Sequence, residues 1–314
     1  MDPVWSGRLL LTGADRRSYL QGLLTNDIEA LAPGTGCYAA MLTAQGRMLA
    51  DMRVFELGDA VLLTLPKTIT PAIRDHLERF VFAEDVQVAD ISESRPAIGV
   101  YGPQAADVLA RAGLRGSVPA EPYASTRVTI AGADAWLVRS DEVGVAGFDV
   151  FVDRGALDAV RDALQRAGAL PVTDQDVETA RIEAGRPRFG ADMDGDTIPL
   201  EAGLEDAAIS RTKGCYVGQE VIIRVIDRGH GRVARRLVGL AFDPDAVVPA
   251  AGAQIASGNR DIGRITSAVW SPALSRPIAL GYVHRDFVEP GTPVDVGGTR
   301  AIVSALPFWQ RSQA

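Results

Sequence analysis

The sequence predicts an α+β chain of more than one domain, and three observations carry that reading. Its 314 residues are roughly two domains at about 150 residues each. Between Arg95 and Gly168 the pattern runs strand, helix, two strands, strand, helix, an order that suggests a split βαβ, ferredoxin-like unit. From Val233 onward, short β-rich runs alternate with Gly, Pro, Asn and Asp, which reads as a small all-β barrel.

Residues 6–11 read as a short strand. Residues 14–24 then read as a helix, because Tyr19, Leu20, Leu23 and Leu24 form an apolar stripe. Thr25-Asn26-Asp27 is turn chemistry. Residues 38–43 and 48–57 are strand-like on either side of Gln45-Gly46, which predicts a hairpin, and 60–65 is a further strand. Thr70 caps a helix with Pro71 at its first position and Ile73, Leu77 and Phe80 along one face. In the second unit a strand at 97–101 precedes a helix at 103–112, stopped by Gly113. Strands follow at 127–130, 135–139 and 148–152. Asp153 is the expected N-cap of a helix over 154–167, whose Leu157, Val160 and Leu164 share a face. Thr173 and Asp176 form a capping box that opens a helix through Ala184. The stretch 185–203 is rich in Gly, Pro and Asp and too long for a simple connector; such loops are often functional. The barrel runs are 236–242, 264–270, 278–284, 292–296 and 300–305.

Composition narrows the function. Apolar residues make up 47% and charged residues 23%, as in ordinary globular proteins. No run approaches the roughly 18 apolar residues of a membrane span, so no membrane partner is expected. Acids outnumber bases 40 to 32, and a net charge of −8 argues against a direct nucleic-acid partner, because phosphate binding needs many Lys and Arg. Two cysteines, Cys37 and Cys215, and three histidines cannot build a tetrahedral zinc or four-thiolate cluster site within one chain by the usual spacings. Two lone cysteines fit a reducing compartment. With no basic, apolar leader pattern, the expectation is a cytoplasmic protein.

The least ordinary stretch is Lys213-Gly214-Cys215-Tyr216-Val217-Gly218-Gln219-Glu220. A cation two residues from a thiol favours thiolate, the reactive form, and glycines let backbone approach a ligand. The same residues also suit a tight turn into a helix over 219–227, with Cys215 as a small buried apolar side chain. From Arg211 to Arg236 there are seven bases against two acids, a local +5 that suits either an anionic ligand or a solvated, ion-paired face. Asp192-Met193-Asp194-Gly195-Asp196 lacks the Gly and Glu positions of an EF-hand and reads as an acidic turn. No metal ligands are expected.

The stretch 213–220 resembles the K-G-C-[FY]-x-G-Q-E signature of the YgfZ family, folate-binding proteins tied to iron–sulfur cluster biogenesis and repair. The resemblance extends along the chain. Leu20-Gln21-Gly22-Leu23-Leu24-Thr25-Asn26-Asp27 is similar to the L-Q-G-x-x-T-N-D segment, and Gly46-Arg47-Met48-Leu49-Ala50-Asp51 to the G-R-x-x-x-D hairpin. Arg181-Ile182-Glu183-Ala184-Gly185 and Pro199-Leu200-Glu201-Ala202-Gly203-Leu204 are similar to the R-x-E-x-G and P-x-E-x-G-L segments. The wider superfamily includes the glycine-cleavage T-protein, a tetrahydrofolate-dependent aminomethyltransferase.

That resemblance implies a three-domain ring with two α+β domains, a C-terminal β-barrel and folate in the central hole. The implied domains are 1–94 with 171–232 (folate-binding), 95–170 (ferredoxin-like) and 233–314 (barrel). It implies tetrahydrofolate or a one-carbon derivative as cofactor, with Glu201 on the pterin and Arg232, from Gly231-Arg232-Val233-Ala234-Arg235-Arg236, on the folate. A carboxylate can accept two N–H bonds from the amino-pyrimidine edge, and a guanidinium can neutralise the glutamate tail. Tyr216, Gln219 and Asp51 join them as folate-contacting candidates, with Cys215 and Lys213 as the catalytic candidates.

One segment departs from the T-protein. Its catalytic Asp follows a V-N-A-type segment at a strand end, where this chain has Leu62-Leu63-Thr64-Leu65-Pro66-Lys67. No acid follows until Asp75, which leaves Asp51 as the best substitute. The expectation is therefore a folate-binding accessory protein for iron–sulfur client enzymes, such as a tRNA-modifying methylthiotransferase, rather than a stand-alone aminomethyltransferase. The alternative is a tetrahydrofolate-dependent aminomethyltransferase or demethylase.

Overall fold

A computed structural model describes residues 6–141, 143–229 and 231–308. The first sheet contains β1 (Ser6–Thr12), β2 (Gly36–Leu42), β3 (Met48–Glu56), β4 (Val61–Pro66) and β5 (Gln87–Asp90), in the spatial order β2-β3-β4-β1-β5. Helices α1 (Arg16–Leu23) and α2 (Thr70–Arg79) cover one face. The stripes seen in the sequence make that contact, except at Phe80, which caps the end of α2 and is exposed: Tyr19, Leu20, Leu23, Ile73 and Leu77 share a core with Leu9, Leu11, Val54 and Leu63. Such burial is worth roughly 1.5–3 kcal/mol for each large apolar side chain.

The second unit is an antiparallel sheet of β6 (Ala97–Tyr101), β7 (Ser125–Ile130), β8 (Ala133–Ser140) and β9 (Gly147–Val152), in the order β6-β9-β8-β7. Helices α3 (Ala105–Arg111) and α4 (Leu157–Arg166) pack on it through Val108, Leu109, Val160 and Leu164. Asp153 makes no side-chain cap; its carboxylate pairs with Arg95 at 3.1 Å instead.

The capping box at Thr173 and Asp176 forms and opens α5 (Asp174–Glu183). This helix lies against the barrel, with Ile182 among Leu237, Val269, Ile278 and Leu280. Two short helices follow, α6 (Glu205–Ala208) and α7 (Gln219–Ile223). Apolar residues of this stretch, from Met193 to Val233, cover Ala40, Leu42 and Met48 on the outer face of the β2–β3 hairpin. The closed barrel is made of β10 (Arg235–Phe242), β11 (Gln254–Ser257), β12 (Arg260–Ser271), β13 (Arg276–His284), β14 (Pro293–Val296) and β15 (Thr299–Ser304). No helix among the described residues is long and apolar enough to cross a membrane.

The expected helix over 219–227 is shorter than its periodicity suggested. After Ile223 the backbone widens into a π turn over Arg224–Arg228. Its entry is set by Gly218, at φ +84°, where a Cβ would lie 2.4 Å from the Thr43 carbonyl oxygen. Only glycine combines that left-handed backbone with so close an approach to the hairpin.

Candidate functional site

The three sheet systems meet around a cavity of about 630 Å³, within the usual range for small-molecule sites. The first sheet contributes Tyr38, Asp51, Arg53 and Thr64–Pro66 side chains; the second unit contributes Tyr123 and Asp141. The loop after α5 contributes Arg186 and Arg188, and the barrel contributes Arg236 and Leu237.

Strand periodicity explains the first group. Asp51 and Arg53 lie two residues apart on β3 and so share a face. The hairpin register sets Tyr38 opposite Arg53 and Ala40 opposite Asp51. Tyr38 is thus the diagonal neighbour of Asp51, and its hydroxyl donates to Asp51 Oδ2 at 2.7 Å. Asp51 Oδ1 is sealed from solvent and has no hydrogen-bond partner among the described residues. Burial raises the Asp51 carboxyl above its ordinary range, against the Tyr38 hydrogen bond and the Arg53 charge that favour the carboxylate. Burial and the neighbouring Asp51 charge likewise push the Tyr38 hydroxyl well up. A carboxylate with raised proton affinity in the wall of a cavity is equipped to take or hold a proton.

Behind the loop after α5 lies a buried ionic network. Arg181 donates to Asp192 Oδ2 at 2.6 Å, to both oxygens of Glu178, to Ser267 Oγ at 3.0 Å and to the Arg186 carbonyl. Asp192 also accepts from Thr266 Oγ1 and from the Arg188 N–H. Two residues on, Glu183 accepts from Ser271 Oγ. The R-x-E pair therefore bolts α5 to β12, and Arg181 fixes the backbone from which Arg186 and Arg188 enter the cavity.

Of the seven site candidates named from the sequence (Asp51, Glu201, Lys213, Cys215, Tyr216, Gln219 and Arg232), only Asp51 lines the cavity. Glu201 is adjacent to it, since Ala202 to Leu204 form part of the wall. Its carboxylate turns to Arg235 at 3.2 Å, and its own carbonyl accepts from the Leu237 N–H. Arg232 is exposed and outside the lining, because its strand begins only at Arg235. Arg236 is the arginine of that segment on the wall.

The 213–220 stretch also lies outside the lining, against α1 and the hairpin turn. Lys213 Nζ donates to the carbonyls of Gln21, Leu24 and Asn26 at 2.6, 2.6 and 2.9 Å, closing the C-terminal end of α1. Burial pulls its ammonium down to about 8, while three carbonyl acceptors suit the charged form. Gln219 accepts the Tyr216 N–H, and Tyr216 is buried beneath the Lys213 ammonium, 5.2 Å from its ring. Cys215 is exposed. These placements give the stretch a packing role in this chain. Iodoacetamide at pH 7 is accordingly expected to label Cys215 far faster than Cys37, whose thiol burial pushes up to about 12. Bound folate should leave the Cys215 rate unchanged, because the thiol is off the cavity; protection by folate, read by mass spectrometry, would contradict that placement.

Tyr38, Arg53, Tyr123, Arg186 and Arg236 were not foreseen. Arg53 and Tyr38 could have been found by extending the period of two from Asp51 and by setting the hairpin register. Tyr123, at φ +59°, lies in a loop without periodicity, and no sequence signal marks it.

Comparison with known proteins places these features. The GCVT N-terminal domain matches residues 1–213, and the glycine cleavage T-protein C-terminal barrel domain matches residues 235–310. An aminomethyltransferase of Streptomyces coelicolor is 29% identical over 98% of this chain and 85% of its own length. One of a Nostoc species is 30% identical over 98% of this chain and 83% of its own. The crystal structure of the glycine cleavage system aminomethyltransferase T from Bartonella henselae matches with a TM-score of 0.86 and 25% identity, covering 98% of this chain and 85% of that one. These relatives overturn the expectation of an accessory role for iron–sulfur client enzymes and tRNA modification, and they favour the alternative that the sequence left second. The relationship is shown for the T-protein superfamily as a whole, and the α+β fold with its closed C-terminal barrel agrees with it. The chain belongs to the glycine cleavage T-protein family.

Proposed function

We propose that this chain is a tetrahydrofolate-dependent aminomethyltransferase whose reaction occurs in the central cavity beside Asp51. The tetrahydrofolate expected from the sequence stands with the family. The observation that carries the reading is Asp51 itself: a cavity-wall carboxylate, raised by burial, held by Tyr38 and left with one unpartnered oxygen. The resemblance to the T-protein points to 62–67 for its acid segment; those residues lie in and just after β4 and hold no acid, and Asp75 is an exposed residue of α2 bonded by Arg74. As a folate nitrogen bonds to the aminomethyl carbon, the carbon–sulfur bond breaks and the lipoyl thiolate leaves; Asp51 takes the proton which that nitrogen sheds and its charge offsets the cation developing on the carbon, and closure by the second folate nitrogen expels ammonia.

The three-part division of the chain, with the cavity where the parts meet, belongs to this proposal. So does a cytoplasmic setting, which the two free cysteines suit. Within the superfamily we keep the likeness of 213–220 to the YgfZ branch as a signature of packing, on the bonds that Lys213 and Gln219 make.

The test is direct. Calorimetry should show tetrahydrofolate binding in the micromolar range, about −8 kcal/mol. With an aminomethyl-loaded lipoyl carrier protein, ammonia and methylene-tetrahydrofolate should form together, at a rate within tenfold of the roughly 10 per second common among enzymes. Tight folate binding without either product would sink the assigned reaction.

A further inference from the structure

We propose that Arg186 receives a carboxylate of the folate glutamate tail, and that Asp141 holds its guanidinium until the ligand takes over. The inference rests on the folate reading of the cavity and adds where the anionic end goes.

The arginines of the wall are not equivalent: Arg53 sits beside Asp51 and Tyr123, away from the loop after α5. Arg181 is 5% exposed and committed to Asp192 and Glu178. Arg188 pairs with Glu178, and Arg236 with Glu205, whose carboxylate is mostly buried. Arg186 is 44% exposed and pairs with Asp141, itself 43% exposed. A solvent-screened pair of this kind contributes little, so exchange is cheap. A ligand carboxylate makes the same charge-assisted fork to the guanidinium. The side chain of Asp141, half in water already, can then return to solvent.

The receiving group is held in advance. Pro187 restricts the backbone of Arg186 to extended conformations, and the buried Arg181 donates to the Arg186 carbonyl. The anchor therefore belongs to the ionic core of α5, while the side chain extends into the cavity on its exposed pair with Asp141. Asp141 comes from the other wall, after β8. It is a built-in competitor: each carboxylate that docks on Arg186 must displace it, and it repels any that does not. Arg232, the sequence candidate for the tail, is exposed outside the lining and cannot serve the same cavity.

Three probes separate the possibilities: 6-methyltetrahydropterin, which has no carboxylate, tetrahydrofolate, and its triglutamate. They are to be measured by calorimetry and ligand-dependent thermal unfolding on the full chain. Arg186→Gln should weaken tetrahydrofolate at least tenfold and leave the carboxylate-free pterin unchanged. Asp141→Asn should tighten tetrahydrofolate several-fold, and the triglutamate at least as much, with the pterin again unchanged. Equal effects on all three probes, or none on any, would overturn the assignment of Arg186. Should Arg186→Gln fail to fold, the Asp141→Asn arm decides alone, and an unchanged or weakened tetrahydrofolate affinity there refutes the proposal. Failure of the cavity reading looks different: the unaltered protein would then bind neither tetrahydrofolate nor the pterin.

Discussion

Replacing Asp51 by asparagine is expected to lower aminomethyl transfer about 10²–10⁴-fold, the usual range for loss of a positioned acid or base. Asparagine keeps the size of the side chain and an oxygen for the Tyr38 hydroxyl, so the hairpin should not change. The loss should fall on kcat with little change in tetrahydrofolate affinity beyond one hydrogen bond. Stability should move the other way. Burial raises the Asp51 carboxyl, so the folded chain holds that proton more tightly than the unfolded chain does. A group of this sign costs stability as pH rises from the ordinary carboxylate range, near 4, through its raised folded value. The asparagine variant lacks that cost and should be as stable as the parent, or more stable, at pH 7. Single-turnover kinetics and urea unfolding at pH 4 and pH 7 measure both halves. A variant that transfers at the parental rate would remove Asp51 from the chemistry.

Arg181→Met is expected to destabilise the chain by about 3–5 kcal/mol, because it strands Asp192 without its buried counter-ion. Glu178 loses its bidentate partner in the same step. Although burial raises the Glu178 carboxyl, the Arg181 hydrogen bond and the charges of Arg181 and Arg188 outweigh it and hold it below its ordinary value. A carboxyl of this sign contributes stability that is present above about pH 4 and lost as pH falls through its lower folded value. The parental protein should therefore lose stability on acidification below about pH 4 more steeply than the Arg181→Met variant. Urea midpoints across that window are the measurement. A difference under 1 kcal/mol at pH 7 would mean that Asp192 finds another partner.

Much of the fold was legible because apolar periodicity reports burial, and burial decides where elements lie. The strands with strong alternation or apolar runs were located to within a few residues. The two that escaped, β5 and β11, have four residues each, and β5 is largely exposed, so its place is fixed by backbone bonds to β1 and leaves no apolar signature. The site was less legible. Asp51 could be named from a motif, but the motif says nothing of Tyr123 or Asp141, which reach the cavity from another sheet. Charge was the weakest guide. Arg8 is fully buried and donates to the Ser92 carbonyl, a placement that its charge does not announce. The basic stretch from 211 to 236 left an anion site and an ion-paired face equally open, and Lys213, Arg235 and Arg236 are spent on carbonyls and on Glu201 and Glu205.

The bonds that close the C-terminal end of α1 have a consequence for how the polypeptide is made. Thr25 donates to the Ala208 carbonyl, Ser210 to the Thr25 carbonyl, Lys213 to three carbonyls of residues 21–26, and Val217 to Gly22. Every one of them joins partners more than 180 positions apart. On the ribosome, at about 5–20 residues per second, the first helix must wait roughly 10–40 s for those partners to emerge. During that interval the hairpin face later covered by residues 193–233 is open to water and to other nascent chains. The second unit, complete within about 75 residues, can fold inside the gap, and the barrel, all of whose strands follow residue 234, can only come last. A ribosome-bound chain stalled before residue 213 should therefore expose a protease-sensitive first sheet beside an already resistant second unit.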